Sequence, residues 1–110
     1  MTRPFILVTG ATGYIGDRLV RALNEGGHRV RCMARRRASV SDRFAPETEV
    51  VQGDVFEPAT LAAALEGVHT AYYLIHSMGA KDGFEERDRT AAHNFAVAAS
   101  AAGVRRIVYL

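Results

Sequence analysis

The run Thr9-Gly10-Ala11-Thr12-Gly13-Tyr14-Ile15-Gly16 sets three glycines three residues apart, directly after the apolar stretch Phe5 to Val8. A residue without a Cβ lets the chain turn tightly and lets a ligand reach bare backbone amides. In a strand-to-helix turn, Gly10 would permit the turn, Gly13 the close approach of a pyrophosphate, and Gly16 the tight packing of the helix on its strand. An anion held there would also meet the positive end of the helix. Three glycines can simply make a turn, so context must decide. Here they follow a strand-like run and open an amphipathic segment at the start of a βαβ pattern, which is the setting a dinucleotide requires. No Gly-Lys-Ser/Thr follows, so the motif is not a P-loop.

Such a site places an acid about 20 residues beyond the glycines to hold a ribose 2′-hydroxyl, or an arginine where a 2′-phosphate must be accommodated. This chain has Ala34-Arg35-Arg36-Arg37 there, and no acid between Val30 and Ser41. Planar guanidinium groups bind phosphate through paired hydrogen bonds, so the expected cofactor is NADP rather than NAD, with Arg35 the first candidate and Arg36 the next. The alternative is a solvated arginine run leading into a polar helix. The net charge is only +2 at pI 9.0, but six arginines face one acid between Arg29 and Arg43, while the rest of the chain is slightly acidic. A compact basic spot suits a small phosphate-bearing ligand better than a duplex, which needs charge spread over many phosphates, so no nucleic-acid partner is expected.

The elements that must position these residues alternate. Strand-like runs occur at Phe5–Thr9, Val30–Ala34, Glu49–Gln52, Thr70–Ile75 and Arg106–Leu110, enriched in β-branched and aromatic residues. Between the first two, Ile15, Leu19, Val20, Ala22 and Leu23 fall at helical spacing. A short helix is expected over Ser39–Ala45, a second over Pro58–Leu65, and the longest from about Phe84 to Ala102, with acids in its first turn and Gly103 after it. Right-handed crossovers, with a reversal after the third strand, give an α/β fold: a Rossmann-type doubly wound parallel sheet of order 3-2-1-4-5. Its crevice lies at the carboxyl ends of the first and fourth strands.

At 110 residues and 12.0 kDa, a single domain spanning 1–110 is expected. Apolar residues at 48% and a mean hydropathy of −0.04 are ordinary for a folded globular chain. No apolar run approaches the ~18 residues that span a bilayer, so no membrane partner is expected. The single cysteine, Cys32, can form no internal disulfide and points to a reducing, cytoplasmic setting. His28, His69 and His93 are too scattered for a metal site, and none is expected.

With TGATGYIG at the first strand, GDV after the third and YYLIHSMG at the fourth, the chain resembles the extended and atypical branches of the short-chain dehydrogenase/reductase superfamily. Within it the combination looks like the NAD(P)H-binding, NmrA-like or nucleoside-diphosphate-sugar epimerase-like proteins, and the likeness covers the whole chain. The resemblance implies that Thr12, Gly13, Tyr14 and Ile15 line the pyrophosphate, Asp54 and Val55 meet the adenine, and Leu74, Ile75 and His76 run past the nicotinamide-side ribose. Asp54 could equally be a turn or cap aspartate before the Pro58 helix. A lone histidine is more often a satisfied polar residue than a catalyst, so His76 is read as a backbone contact. In extended members an asparagine like Asn94 supports the active-site backbone; a helix-packing asparagine is the other reading. Of Tyr72 and Tyr73, strand alternation buries at least one.

Reductases of this superfamily use a tyrosine with a lysine four residues on, and this chain has no Tyr-x-x-x-Lys; its sole lysine is Lys81, four residues after Ser77. No catalytic residue is therefore assigned, and enzyme status is left open. The sequence stops inside an apolar strand, which reads as an N-terminal portion truncated after the fifth strand, so self-association or completion by a missing C-terminal part is expected. The leading functional expectation is the NADP(H)-binding part of an oxidoreductase or sugar-nucleotide epimerase-like enzyme acting on an unknown small molecule. The alternative is a non-catalytic, NmrA-like NADP-binding redox sensor, and a mononucleotide or flavin binder on the same fold is a third.

Overall fold

Runs of β-branched and aromatic residues form five strands, β1 (Phe5–Thr9), β2 (Val30–Ala34), β3 (Glu49–Gln52), β4 (Val68–Tyr73) and β5 (Arg106–Tyr109). They pair in parallel in the order β3-β2-β1-β4-β5, the expected topology. The connections are helix α1 (Tyr14–Glu25), a 3-10 turn at Arg37–Ser39, a second at Pro58–Thr60 that runs into helix α2 (Leu61–Leu65), and helix α3 (Phe84–Ala101). These elements come from a computed structural model that describes residues 3–40, 42–44, 46–75 and 84–109. No described helix is long and apolar enough to cross a membrane.

Two local expectations differ from what the chain does. Over the described residues of the segment expected to be helical at Ser39–Ala45, the chain makes the single 3-10 turn Arg37–Ser39 and a turn bond from the Arg43 N–H to the Val40 carbonyl at 2.9 Å, and Arg43 and Phe44 then turn to α1. Arg43 pairs with Asp17 at 3.6 Å, its carbonyl accepts from Arg21 at 3.4 Å, and Phe44 lies under the Arg21 guanidinium. The fourth strand begins at Val68 and ends at Tyr73, so Leu74 and Ile75 lie past the sheet. Thr9 explains the ending: its hydroxyl donates to the Tyr72 carbonyl at 3.1 Å and accepts from the Leu74 N–H at 3.2 Å. A side chain takes the place of the next ladder rung, and the two strands part there.

Alternation of side chains along the strands builds a core on each face. On one, Leu7, Met33, Ala71 and Tyr73 meet Leu61 and Leu65 of α2 and Ala91, Phe95 and Ala99 of α3. On the other, Val8, Val30 and Cys32 meet Ala11 and Val20 on the α1 side, with Val40. Phe95 is fully buried, and burial of a side chain of that size contributes roughly 1.5–3 kcal/mol. Burial also pushes the Cys32 thiol up to about 12, so it stays protonated and is a packing residue, not a nucleophile. Tyr73 is the buried tyrosine of the pair, its ring 5.1 Å from Phe95 and 5.5 Å from Tyr109.

The basic segment from Arg29 to Arg43 is divided by the fold. Arg31 is buried and donates to the carboxylate of Glu49 at 3.0 Å and to the carbonyls of Ala64 and Glu66 at 2.8 and 2.7 Å, pinning the end of α2 to the sheet. Arg29 and Arg31 both lie against Phe5, 3.9 and 4.1 Å from its ring centroid. Arg29, Arg31 and Arg43 are thus structural. Arg31→Leu is expected to lower stability by about 2–3 kcal/mol, because two carbonyls lose a charged donor, while nucleotide affinity stays unchanged. Urea unfolding alongside a cofactor titration checks both halves of that expectation.

Candidate functional site

Two of the three motif glycines are demanded by the fold itself. Gly10 has a φ of +77°, and a Cβ there would stand 2.8 Å from the Leu74 carbonyl oxygen. At Gly16 a Cβ would fall 2.1 Å from the Gly10 carbonyl oxygen and 2.9 Å from the Ala11 Cα, so only glycine lets α1 lie this close to the turn. Gly13 differs. Its φ of −76° and ψ of 169° suit any residue, and the nearest atom to a Cβ would be the Gly10 oxygen at an ordinary 3.5 Å. Nothing described inside the protein needs a glycine at 13; what its missing side chain leaves open is the space outside.

That space faces unspent donors. The first intrahelical bond of α1 runs from the Asp17 N–H to the Gly13 carbonyl at 2.9 Å, so the amides of Tyr14, Ile15 and Gly16 lie ahead of the helix ladder. Gly13 is the N-cap and brings no side-chain oxygen to them. Asp17, the acid of this first turn, is held by Arg21 at 3.0 Å and Arg43 at 3.6 Å. The hydrogen bond from Arg21 holds its carboxyl below the usual carboxylate range, with Arg43 and Arg18 adding to the effect. Its charge is thereby met, and an anion at the helix end is not opposed by a bare carboxylate.

Beside the turn lies a cleft of about 590 Å³, within the usual range for a small-molecule site. Gly10, Ala11 and Thr12 contribute from the turn, Met33, Ala34, Arg35 and Arg36 from the end of β2, Gly53 to Phe56 from the end of β3, Ile75 from beyond β4, and Arg87 from α3. The cleft therefore extends across the ends of β1, β2 and β3, further toward β3 than the β1–β4 crevice expected from topology. Asp54 uses one carboxylate oxygen to accept the Phe56 N–H at 2.9 Å, so the turn role is real, and the residue still lines the cleft. Asn94 donates to the Val55 carbonyl at 2.9 Å. The bond ties α3 to the loop after β3, which lines the cleft.

Of the residues singled out from sequence, Gly10, Thr12, Arg35, Arg36, Asp54, Val55 and Ile75 come together in this cleft. Gly13, Tyr14 and Ile15 continue from Thr12 as the exposed start of α1, whereas Gly16 is buried beneath it. Leu74 packs its side chain into the core under α1, and its carbonyl lies against Gly10. His76 lies outside the described residues. Phe56 and Arg87 were not anticipated. Phe56 directly follows the Gly-Asp-Val signal and was within reach, but Arg87 depends on the rotational phase of α3, which a lone arginine in a charged first turn does not reveal. Tyr73 belongs to the core and does not line the cleft; burial pushes its phenol up to about 12, and Asp88 and Tyr109 add to this.

A parallel 3-2-1-4-5 sheet whose first turn offers open amides, beside a cleft with arginines at the tip of β2, defines a Rossmann-type dinucleotide-binding domain. The profile of the NAD(P)H-binding family matches residues 10–110, and the chain belongs to that family. It is similar to the 3 beta-hydroxysteroid dehydrogenase/Delta 5-->4-isomerase of Mycobacterium tuberculosis, at 35% identity over 94% of this chain and 30% of the relative. Among solved structures it is similar to the Citrobacter triphenylmethane reductase complexed with NADP(H), with a TM-score of 0.78 and 28% identity over 94% of this chain and 36% of the other. A short-chain dehydrogenase/reductase superfamily protein from Agrobacterium tumefaciens with bound NAD gives a TM-score of 0.74 and 32% identity over 96% of this chain and 31% of the other. The resemblance to that superfamily therefore holds. The chain spans about a third of the length of the curated relatives it matches.

Proposed function

We propose that this chain is the NADP(H)-binding part of an oxidoreductase or epimerase-like enzyme and prefers NADP(H) to NAD(H). The observation that carries the preference is the position of Arg35 and Arg36, both exposed and both lining the cleft that begins at the glycine turn. One relative binds NADP(H) and another NAD, so the choice rests on this chain's own residues.

The amides of Tyr14 and Ile15 would hold the pyrophosphate, with Thr12 beside it and Gly13 leaving the approach clear. Arg35, then Arg36, would pair with the 2′-phosphate. Val55 would pack on the adenine, and the Asp54 carboxylate oxygen not bonded to Phe56 would accept from its amino group. Leu74 and Ile75 would lead toward the nicotinamide-side ribose, with His76 beyond them. When bound, the dinucleotide supplies or takes a hydride at its nicotinamide ring.

Arg35→Asp tests the reading. Losing a charged, paired hydrogen bond and gaining an opposed carboxylate should weaken NADPH binding about 100-fold, near 3 kcal/mol, while NADH changes by less than about threefold. An equal loss for both cofactors in calorimetric titrations would overturn the assignment of Arg35 to the 2′-phosphate.

A further inference from the structure

One wall of the cleft is not explained by phosphate recognition. Phe56 follows Asp54 and Val55 around the end of β3 and stays 42% exposed while lining the cleft. Arg87, in the first turn of α3, carries its guanidinium carbon 4.9 Å from the Phe56 ring centroid. Arg35 and Arg36 come from the tip of β2, so Arg87 brings a third guanidinium from a different element. The wall is anchored at both ends. The Phe56 N–H bonds the Asp54 carboxylate, and Asn94, two helical turns beyond Arg87, bonds the Val55 carbonyl.

An aromatic face, a planar cation lying against it and a carboxylate acceptor beside them make a poor phosphate pocket and a good one for a flat, electron-rich base bearing an amino group. A guanidinium within 4.9 Å of the Phe56 ring centroid can also present a face or its N–H edge to a second ring. The geometry points to Arg87 and Phe56 as the pair that determines selection of the adenine base, with Asn94 a positioning residue that holds Val55 in step with α3. This inference rests on the dinucleotide reading above. It assigns Arg87 to the base, in contrast to the phosphate role of Arg35.

Calorimetric titration of the full chain with NADPH, NADH and reduced nicotinamide mononucleotide separates the possibilities. Arg87→Leu should weaken NADPH and NADH by the same factor, about tenfold, and leave the mononucleotide, which has no adenine, unchanged. Arg87→Lys, which keeps the charge and loses the plane, should restore only part of the affinity, and Phe56→Leu should show the same cofactor-independent loss. Circular dichroism and urea midpoints confirm that the variants fold; Arg87 is exposed, so its replacement leaves the core intact. A loss confined to NADPH would overturn the base assignment and make Arg87 a phosphate ligand, and unaltered affinity for both dinucleotides would overturn it outright. If the unsubstituted chain bound neither dinucleotide, the dinucleotide reading itself would fall, a result distinct from failure of Arg87 alone.

Discussion

Gly16→Ala is expected to destabilise the domain by about 2 kcal/mol or more, although alanine is the better helix former. Two effects oppose each other. Within a helix, alanine is favoured over glycine by about 1 kcal/mol. Against this, the new methyl would stand 2.1 Å from the Gly10 carbonyl oxygen and 2.9 Å from the Ala11 Cα, both main-chain atoms that cannot swing aside like a flexible side-chain tip. Relief requires α1 to lift from the turn, and overpacking that moves backbone costs typically 1–3 kcal/mol and sometimes more. The clash wins. Lifting α1 also displaces the amides of Tyr14 and Ile15, so nucleotide affinity should fall together with the urea midpoint. A variant as stable as the parent would show that the helix does not pack on the turn as described.

Gly13→Val should behave in the opposite way, with stability kept within about 1 kcal/mol and dinucleotide affinity lowered about 100-fold. The backbone at 13 is extended and a Cβ there makes only ordinary contact with the Gly10 oxygen, so the folded chain tolerates the change. Exchange of glycine for an apolar N-cap costs at most about 1 kcal/mol. The new side chain, however, projects into the space through which a pyrophosphate must reach the helix amides. Loss of two charge-assisted hydrogen bonds at ~1.5 kcal/mol each gives the expected hundredfold weakening. Fluorescence titration with NADPH and NADH measures it, and affinity preserved within threefold would remove the turn from the binding site.

Much of the architecture was legible because short-range physics wrote it. The β-branched runs, the glycine turn and the helical spacing from Ile15 to Leu23 each act within a few residues, and parallel order follows from handedness once the strands are counted. What escaped the sequence depended on distant partners. The arginines between Arg29 and Arg43 look alike in one dimension, yet Arg31 is used by Glu49 and by the carbonyls closing α2, while Arg43 is used by Asp17. Arg43 and Phe44, inside the expected Ser39–Ala45 helix, likewise meet α1, a partner far along the chain. Within the site, Asp54 was open to two readings and the fold grants it both a turn bond and a place in the cleft. Arg87 was hidden because only the packed angle of α3 brings it over Phe56.

The ties made by Arg31 give the second strand two ends of unlike character. At its entrance, charge is stitched into carbonyls and a carboxylate and any edit unravels packing; at its exit, Arg35 stands in solvent, where a substitution ordinarily shifts folding by no more than about 0.5 kcal/mol. If Arg35 meets the 2′-phosphate as proposed, coenzyme choice could therefore be rewritten at that tip with the scaffold left indifferent to the change.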